Sequence, residues 1–157
     1  MRTGDILHCT GKGWISKTIM WFTNSKVSHT ALFISVWGND YILDSQKDGT
    51  NLRPFGEWMK EYNYSYTVTS MNVLNEKLFA TRAMRKCGVT SYDFELLVLR
   101  HPVSIIWSKI TGKEFVPKQK KNESKRMVCS EFVAWAHYFP NPERFTPQKL
   151  YEYCRLK

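Results

Sequence analysis

The chain is 157 residues long, 43% hydrophobic and 24% charged; these proportions belong to a globular protein with its own core and exclude a wholly disordered, collagen-like or repeat-array chain. Lysine and arginine number 23 against 14 acids, a net charge of +9, which raises the odds of a polyanionic partner, the classes to weigh being nucleic acid and anionic membrane. Four cysteines, Cys9, Cys87, Cys129 and Cys154, are scattered without CxxC or other metal-ligand spacing, which argues against a disulfide scaffold and against a metal site.

In chain order, an apolar stretch over 5–9 predicts a first strand, punctuated by Gly11 and Gly13. Trp14, Ile15, Thr18, Ile19 and Phe22 then fall on one stripe of a helix. Residues 23–28 are polar and turn the chain. Residues 29–37 are rich in β-formers, Gly38-Asn39-Asp40 is turn chemistry, and 41–46 is a second extended run, so the three together predict a hairpin. A Gly/Pro-punctuated loop is expected over 49–54 and a long strand over 64–73. Asn75 is placed to cap a helix over 76–87 whose inner face carries Phe79, Ala80, Ala83, Met84 and Cys87, with Gly88 beyond its end. Residues 93–111 are apolar, interrupted by Pro102, and are read as helical. Cys129, Phe132, Val133 and Ala136 give 128–139 helical spacing, ended by Pro140 and Pro142. Thr146 with Pro147 opens a last helix through Tyr153. The pattern predicts an α+β chain forming a single domain over 1–157, with no repeat and no linker.

The charge is unevenly placed. Residues 1–99 carry 11 basic and 9 acidic side chains, and residues 100–157 carry 12 and 5. The densest run, Lys118, Lys120, Lys121, Lys125 and Arg126 with Glu123 among them, reads as a loop leading to Cys129. It is either a solvated loop or a guide for an acidic substrate or an anionic membrane surface. No nucleic-acid-binding signature accompanies it, so nucleic acid is not expected. Gly11-Lys-Gly13 has neither the spacing nor the lysine of a phosphate loop. The first residues lack a continuous apolar leader and no window approaches 18 apolar residues, which predicts a reducing, cytoplasmic setting.

A thiol gains nucleophilic force where a helix N-terminus and an imidazole favour the thiolate. Cys129 stands at a predicted helix start and His29 at a predicted strand start. His137 lies eight residues along the helix from Cys129, about 12 Å up the axis. His8 and Cys9 are adjacent in a strand and point to opposite faces. His101 precedes Pro102 in the unassigned apolar segment. The pair of Cys129 and His29 is thus selected partly by elimination, against the commoner role of a cysteine on an apolar helix face as core filler. An orienting acceptor for the second ring nitrogen is sought on the next strand, where Asp44 is the polar candidate.

The strings Gly4-Asp5-Ile6-Leu7, Ser28-His29-Thr-Ala-Leu-Phe-Ile34 and Cys129-Ser-Glu131-Phe, in that order, with Ser91-Tyr92-Asp93-Phe94 and Thr146-Pro147-Gln-Lys-Leu150, resemble the circularly permuted NlpC-like family. These are papain-like cysteine hydrolases of the YiiX and poxviral type, distantly similar to lecithin retinol acyltransferases. The resemblance implies a small antiparallel sheet or open barrel with the nucleophile helix packed on it. It implies His29 as general base, Asp44 as third residue and Cys129 as nucleophile of a peptidase- or amidase-like thiol hydrolase, without cofactor or metal. A lipid-directed acyltransferase or esterase using the same dyad is the second expectation. A non-catalytic basic binding module is a third. The Cys129 backbone N–H would line an oxyanion hole, and Tyr92, by similarity, would add a hydroxyl.

Here 15 residues separate His29 from Asp44, more than the family commonly has. A two-residue turn at Gly38 and Asn39 would set His29 opposite Asp48, and a bulge or longer loop around 36–40 would restore Asp44. Ser45 and Asp48 therefore stand as alternatives. Substrate and oligomeric state are not legible.

Overall fold

The computed structural model describes residues 1–46, 48–62, 65–89, 91–92 and 126–156, with backbone only for residues 15, 19, 22, 23, 91, 92 and 126. The apolar segment 93–111 and the basic run 118–125 lie outside the described residues.

Strand β1 (Ile6–Thr10) leads into helix α1 (Trp14–Thr23), which ends where Asn24 turns left-handed at φ +47°. Strands β2 (His29–Val36), β3 (Asn39–Gln46) and β4 (Gly49–Pro54) follow, then helix α2 (Phe55–Tyr62), strand β5 (Ser65–Thr69) and helix α3 (Glu76–Met84). The strands form one antiparallel sheet in the order β4-β3-β2-β1-β5. A short parallel pair, β6 (Ser91–Tyr92) and β7 (Arg126–Met127), precedes helix α4 (Cys129–Ala136). A 3-10 turn over Pro142–Arg144 leads to helix α5 (Pro147–Arg155), capped by the Thr146 hydroxyl, which accepts from the Lys149 N–H. The expected α+β class is what the chain adopts.

Apolar residues at successive positions of the central strands face opposite ways, so a continuous apolar run buries both sides of the sheet. Ile6, Leu32, Ile34 and Leu43 meet Phe79 and Ala83 of α3, Phe132, Val133 and Ala136 of α4 and Leu150 of α5. Leu7, Cys9, Ala31, Phe33 and Ile42 face the other way, against Trp58 of α2.

Three expectations are corrected. The hairpin turn is Trp37-Gly38, not Gly38-Asn39-Asp40: both turn residues have positive φ, +51° and +75°, as a two-residue turn matched to strand twist requires. Residues 49–54 form β4, because their Gly and Pro stand at the ends of an edge strand, where they interrupt no ladder. The strand expected over 64–73 shortens to β5, since Ser70 and Met71 leave the ladder and donate to the buried Asp5 carboxylate at 2.9 and 3.3 Å. Helix α2 was not expected, although Phe55, Trp58, Met59 and Tyr62 stand at helical spacing.

Asn75 caps α3 by accepting from the Leu78 N–H at 2.9 Å. Asn75→Ala should lower stability by about 1 kcal/mol. A urea midpoint equal to that of the unsubstituted chain would count against the cap.

Candidate active site

Helix α4 starts at Cys129 because Val128 is extended (φ −82°, ψ 162°) and its N–H is taken by the Glu131 carboxylate at 3.4 Å. The first full turn closes with Phe132 N–H donating to Val128 C=O at 2.9 Å. Phe132 and Val133 anchor the helix in the core, and the Ser130 hydroxyl donates to the Phe145 carbonyl at 2.6 Å. Cys129 is thereby held, buried, at the positive end of the helix.

His29 opens β2, opposite Cys9 on β1. The polar segment before it is tied down: Ser28 N–H donates to Cys9 C=O at 2.9 Å, and Gly11 N–H donates to the Ser28 hydroxyl at 2.9 Å. Gln148 of α5 accepts from the Lys26 N–H at 3.1 Å.

The turn at Trp37-Gly38 sets the register of β2 against β3. Ala31 faces Asp44 and Leu32 faces Leu43. Asp44 is therefore the diagonal neighbour of His29 on the same face of the sheet, within side-chain reach. No bulge is needed. His29 Nε2 lies 3.2 Å from Asp44 Oδ2. The same carboxylate oxygen accepts from Gln46 Nε2 at 2.8 Å and from Trp58 Nε1 at 3.0 Å. Ser45 points to the other face, where its hydroxyl donates to Met127 C=O at 3.0 Å. Asp48 pairs with Arg53 at 2.6 Å. Of the three acceptors considered, the structure brings Asp44 to His29.

Cys129 is buried close enough to His29 for each to shift the other's proton affinity. With Nε2 at Asp44, Nδ1 is the nitrogen left to exchange a proton with the thiol. Burial alone would lower the imidazole, but the Cys129 sulfur and the Asp44 carboxylate outweigh it and raise His29 to about 10. Burial alone would raise the thiol. The His29 charge, with smaller help from the Thr30 N–H, holds Cys129 below its ordinary value. Asp44 is likewise lowered, since donors from His29, Gln46 and Trp58 overcome its burial. Both displacements favour a thiolate beside an imidazolium that a carboxylate orients.

The other cysteines and histidines differ. Burial pushes Cys87 up to about 11 and Cys9 well above the ordinary thiol range. Burial lowers His8 to about 4; its Nε2 is 3.1 Å from the Thr69 hydroxyl and its ring meets Tyr151 edge-on. His137 lies between Phe79 and Phe139. His101 is outside the described residues. Tyr92 pairs with Met127 through the parallel β6-β7 ladder, which sets its backbone two residues from Cys129; its side chain is outside the description. Trp58, Gln46 and Thr30 were not singled out in the sequence. The helical spacing of α2 pointed to the burial of Trp58, whereas nothing local distinguishes Gln46 or Thr30.

The fold and site together describe an α+β protein in which a strand histidine is hydrogen-bonded to a neighbouring-strand aspartate, with a helix-start cysteine buried beside them. No family model matches the sequence, and no curated protein matches it significantly. Among solved structures it is similar to one titled metalloprotein yiiX from Escherichia coli O157:H7, DUF1105, at 22% identity and a TM-score of 0.52, covering 78% of this chain and 73% of that one. That likeness concerns the fold. Among the described residues no group of three or more His, Cys, Asp or Glu side chains is placed to hold a metal ion, so no step below is routed through one. No helix among the described residues is long and apolar enough to cross a membrane.

Proposed function

We propose that the chain is a thiol hydrolase of the circularly permuted, papain-like NlpC type, cleaving an amide or ester bond. One observation carries this reading: the buried His29 is held against Asp44 at 3.2 Å, and His29 and Cys129 displace each other in opposite directions, histidine upward and thiol downward. The chain order, histidine strand first and cysteine helix last, agrees with the permuted arrangement. The Cys129 thiolate attacks the substrate carbonyl, and its backbone N–H at the start of α4 faces the developing oxyanion. His29 gives its proton to the departing amine or alkoxide, leaving an acyl thioester on Cys129. Water then attacks the thioester while His29 takes its proton. The carboxylic acid leaves and the thiolate-imidazolium pair is restored.

The test is turnover of a panel comprising an activated aryl ester, a peptidyl amide and a phospholipid ester, with mass spectrometry for an acyl adduct. Cys129→Ala should reduce turnover to the uncatalysed level, and the adduct should map to Cys129. Product from phospholipid alone, with the acyl group passed to an acceptor other than water, would shift the chemistry to lipid acyl transfer. Equal turnover by the Cys129→Ala chain would overturn the nucleophile and favour a binding module.

A further inference from the structure

Helix α1 is out of keeping with the rest of the surface. Its ten residues, WISKTIMWFT, include six apolar ones. Trp14 and Trp21 are 76% and 77% exposed. They stand seven residues apart, two turns or about 10 Å along one stripe, with the exposed Lys17 and Thr18 between them. No Asp or Glu occurs between Asp5 and Asp40, whereas Lys12, Lys17 and Lys26 all lie exposed in that stretch.

Amphipathic tryptophan rings flanked by lysines suit the boundary between lipid headgroups and acyl chains, where the ring is buried and the ammonium meets lipid phosphate. A protein partner would more commonly meet aromatic residues with charge depleted at the centre of the patch. Here a lysine lies at the centre. Trp37, 94% exposed at the far end of β2, has no such setting, because Asp40 follows it closely. We propose that the Trp14-Lys17-Trp21 face of α1 docks the protein onto an anionic phospholipid surface.

The location gives the docking a purpose. The two ends of the α1 excursion are joined beside His29, where the Thr10 hydroxyl donates to Lys26 C=O at 2.7 Å and Ser28 N–H donates to Cys9 C=O. A surface held by α1 therefore lies next to the start of β2. The docking face does not rest on the hydrolase chemistry, since a Cys129→Ala chain carries it unchanged.

The test is co-sedimentation of the Cys129→Ala chain with vesicles of phosphatidylcholine, alone or mixed with phosphatidylserine. Binding to the mixed vesicles is expected to exceed binding to the neutral ones and to weaken with salt. Lys12→Gln and Lys17→Gln should each cost about fivefold. Trp14→Ser with Trp21→Ser should cost at least about tenfold, whereas Trp37→Ser should cost nothing. In the chain with Cys129 intact, the double tryptophan variant should turn over a soluble ester at the unsubstituted rate, which also reports that it is folded. Failure to bind mixed vesicles would overturn the proposal, as would undiminished binding by the double variant or an equal loss with Trp37→Ser. A dimer that the double variant dissociates, without vesicle binding, would assign the face to self-association instead.

Discussion

Alkylation of Cys129 by iodoacetamide is expected to reach its plateau at a lower pH than an ordinary thiol would, and to hold it until His29 deprotonates. The thiol is held below its ordinary value by His29, and His29 loses its own proton only near 10. Cys87 supplies the contrast within the same molecule: burial sets it at about 11, so its rate should climb about tenfold per pH unit over the same interval. His29→Ala removes the charge that lowers the Cys129 thiol, leaving burial, which raises it. A thiol returned to 9.0 or above is at most about 1% ionised at pH 7, so the rate there should fall and its pH dependence should become as steep as that of Cys87. Mass spectrometry of the two alkylated peptides against pH reads both residues together. A Cys129 rate that rises in parallel with that of Cys87, indifferent to His29→Ala, would remove the ion pair.

The same displacements set the pH dependence of stability. His29, raised from 6.5 to about 10, contributes stability fully present below pH 6.5 and lost as pH rises through 10. Cys129, lowered from 9.0, contributes stability fully present above pH 9 and lost as pH falls through its lowered value. From the higher of 6.5 and the lowered Cys129 value up to 9, the unfolded chain carries one proton on sulfur and the folded chain one on nitrogen, so the two slopes cancel. Urea midpoints should therefore show a plateau contribution from this pair over that interval, falling on both sides. His29→Ala should remove the acid-side decline, because burial then holds the Cys129 thiol at or above 9.0.

Much of this site is legible in the sequence because its parts are local. His29 precedes a β-branched run, Cys129 opens a helical spacing, and Thr146-Pro147 is a cap wherever it occurs. Register is less legible, since it depends on which two residues make a turn. Gly38 and Asn39 have stronger turn propensity than Trp37, yet the chain turns at Trp37-Gly38, leaving the indole in solvent, and this brings Asp44 diagonal to His29. Shifting the turn by one residue moves the facing partner by two, which is the difference between Asp44 serving His29 and Asp48 facing it. Trp58 was legible only as a core residue. That its indole N–H would close on Asp44 depends on α2 folding back beneath β3, a long-range placement that no local spacing encodes.

Asp44 should be the most demanding position in the chain. Three donors, from His29, Gln46 and Trp58, converge on Oδ2, while Oδ1 is buried without a hydrogen-bond partner among the described residues. Asp44→Ala leaves the indole and amide donors facing a cavity and the imidazolium without its carboxylate, at a cost of about 3 kcal/mol. In a chain of this size that lowers the melting temperature by about 10 °C, and the cysteine plateau should vanish with it. Asp44→Asn separates geometry from charge. An amide oxygen at the Oδ2 position still accepts all three donors, and the amide nitrogen falls where no partner is displaced, so most of the stability should remain. The charge that helps to hold His29 near 10 is gone, and the alkaline edge of the alkylation plateau should move toward neutral pH. Thermal unfolding of the two variants beside their alkylation profiles resolves the two contributions: an Asn profile identical to that of the unsubstituted chain would leave Asp44 as an orienting acceptor only, and an Ala variant as stable as the parent would deny it both roles.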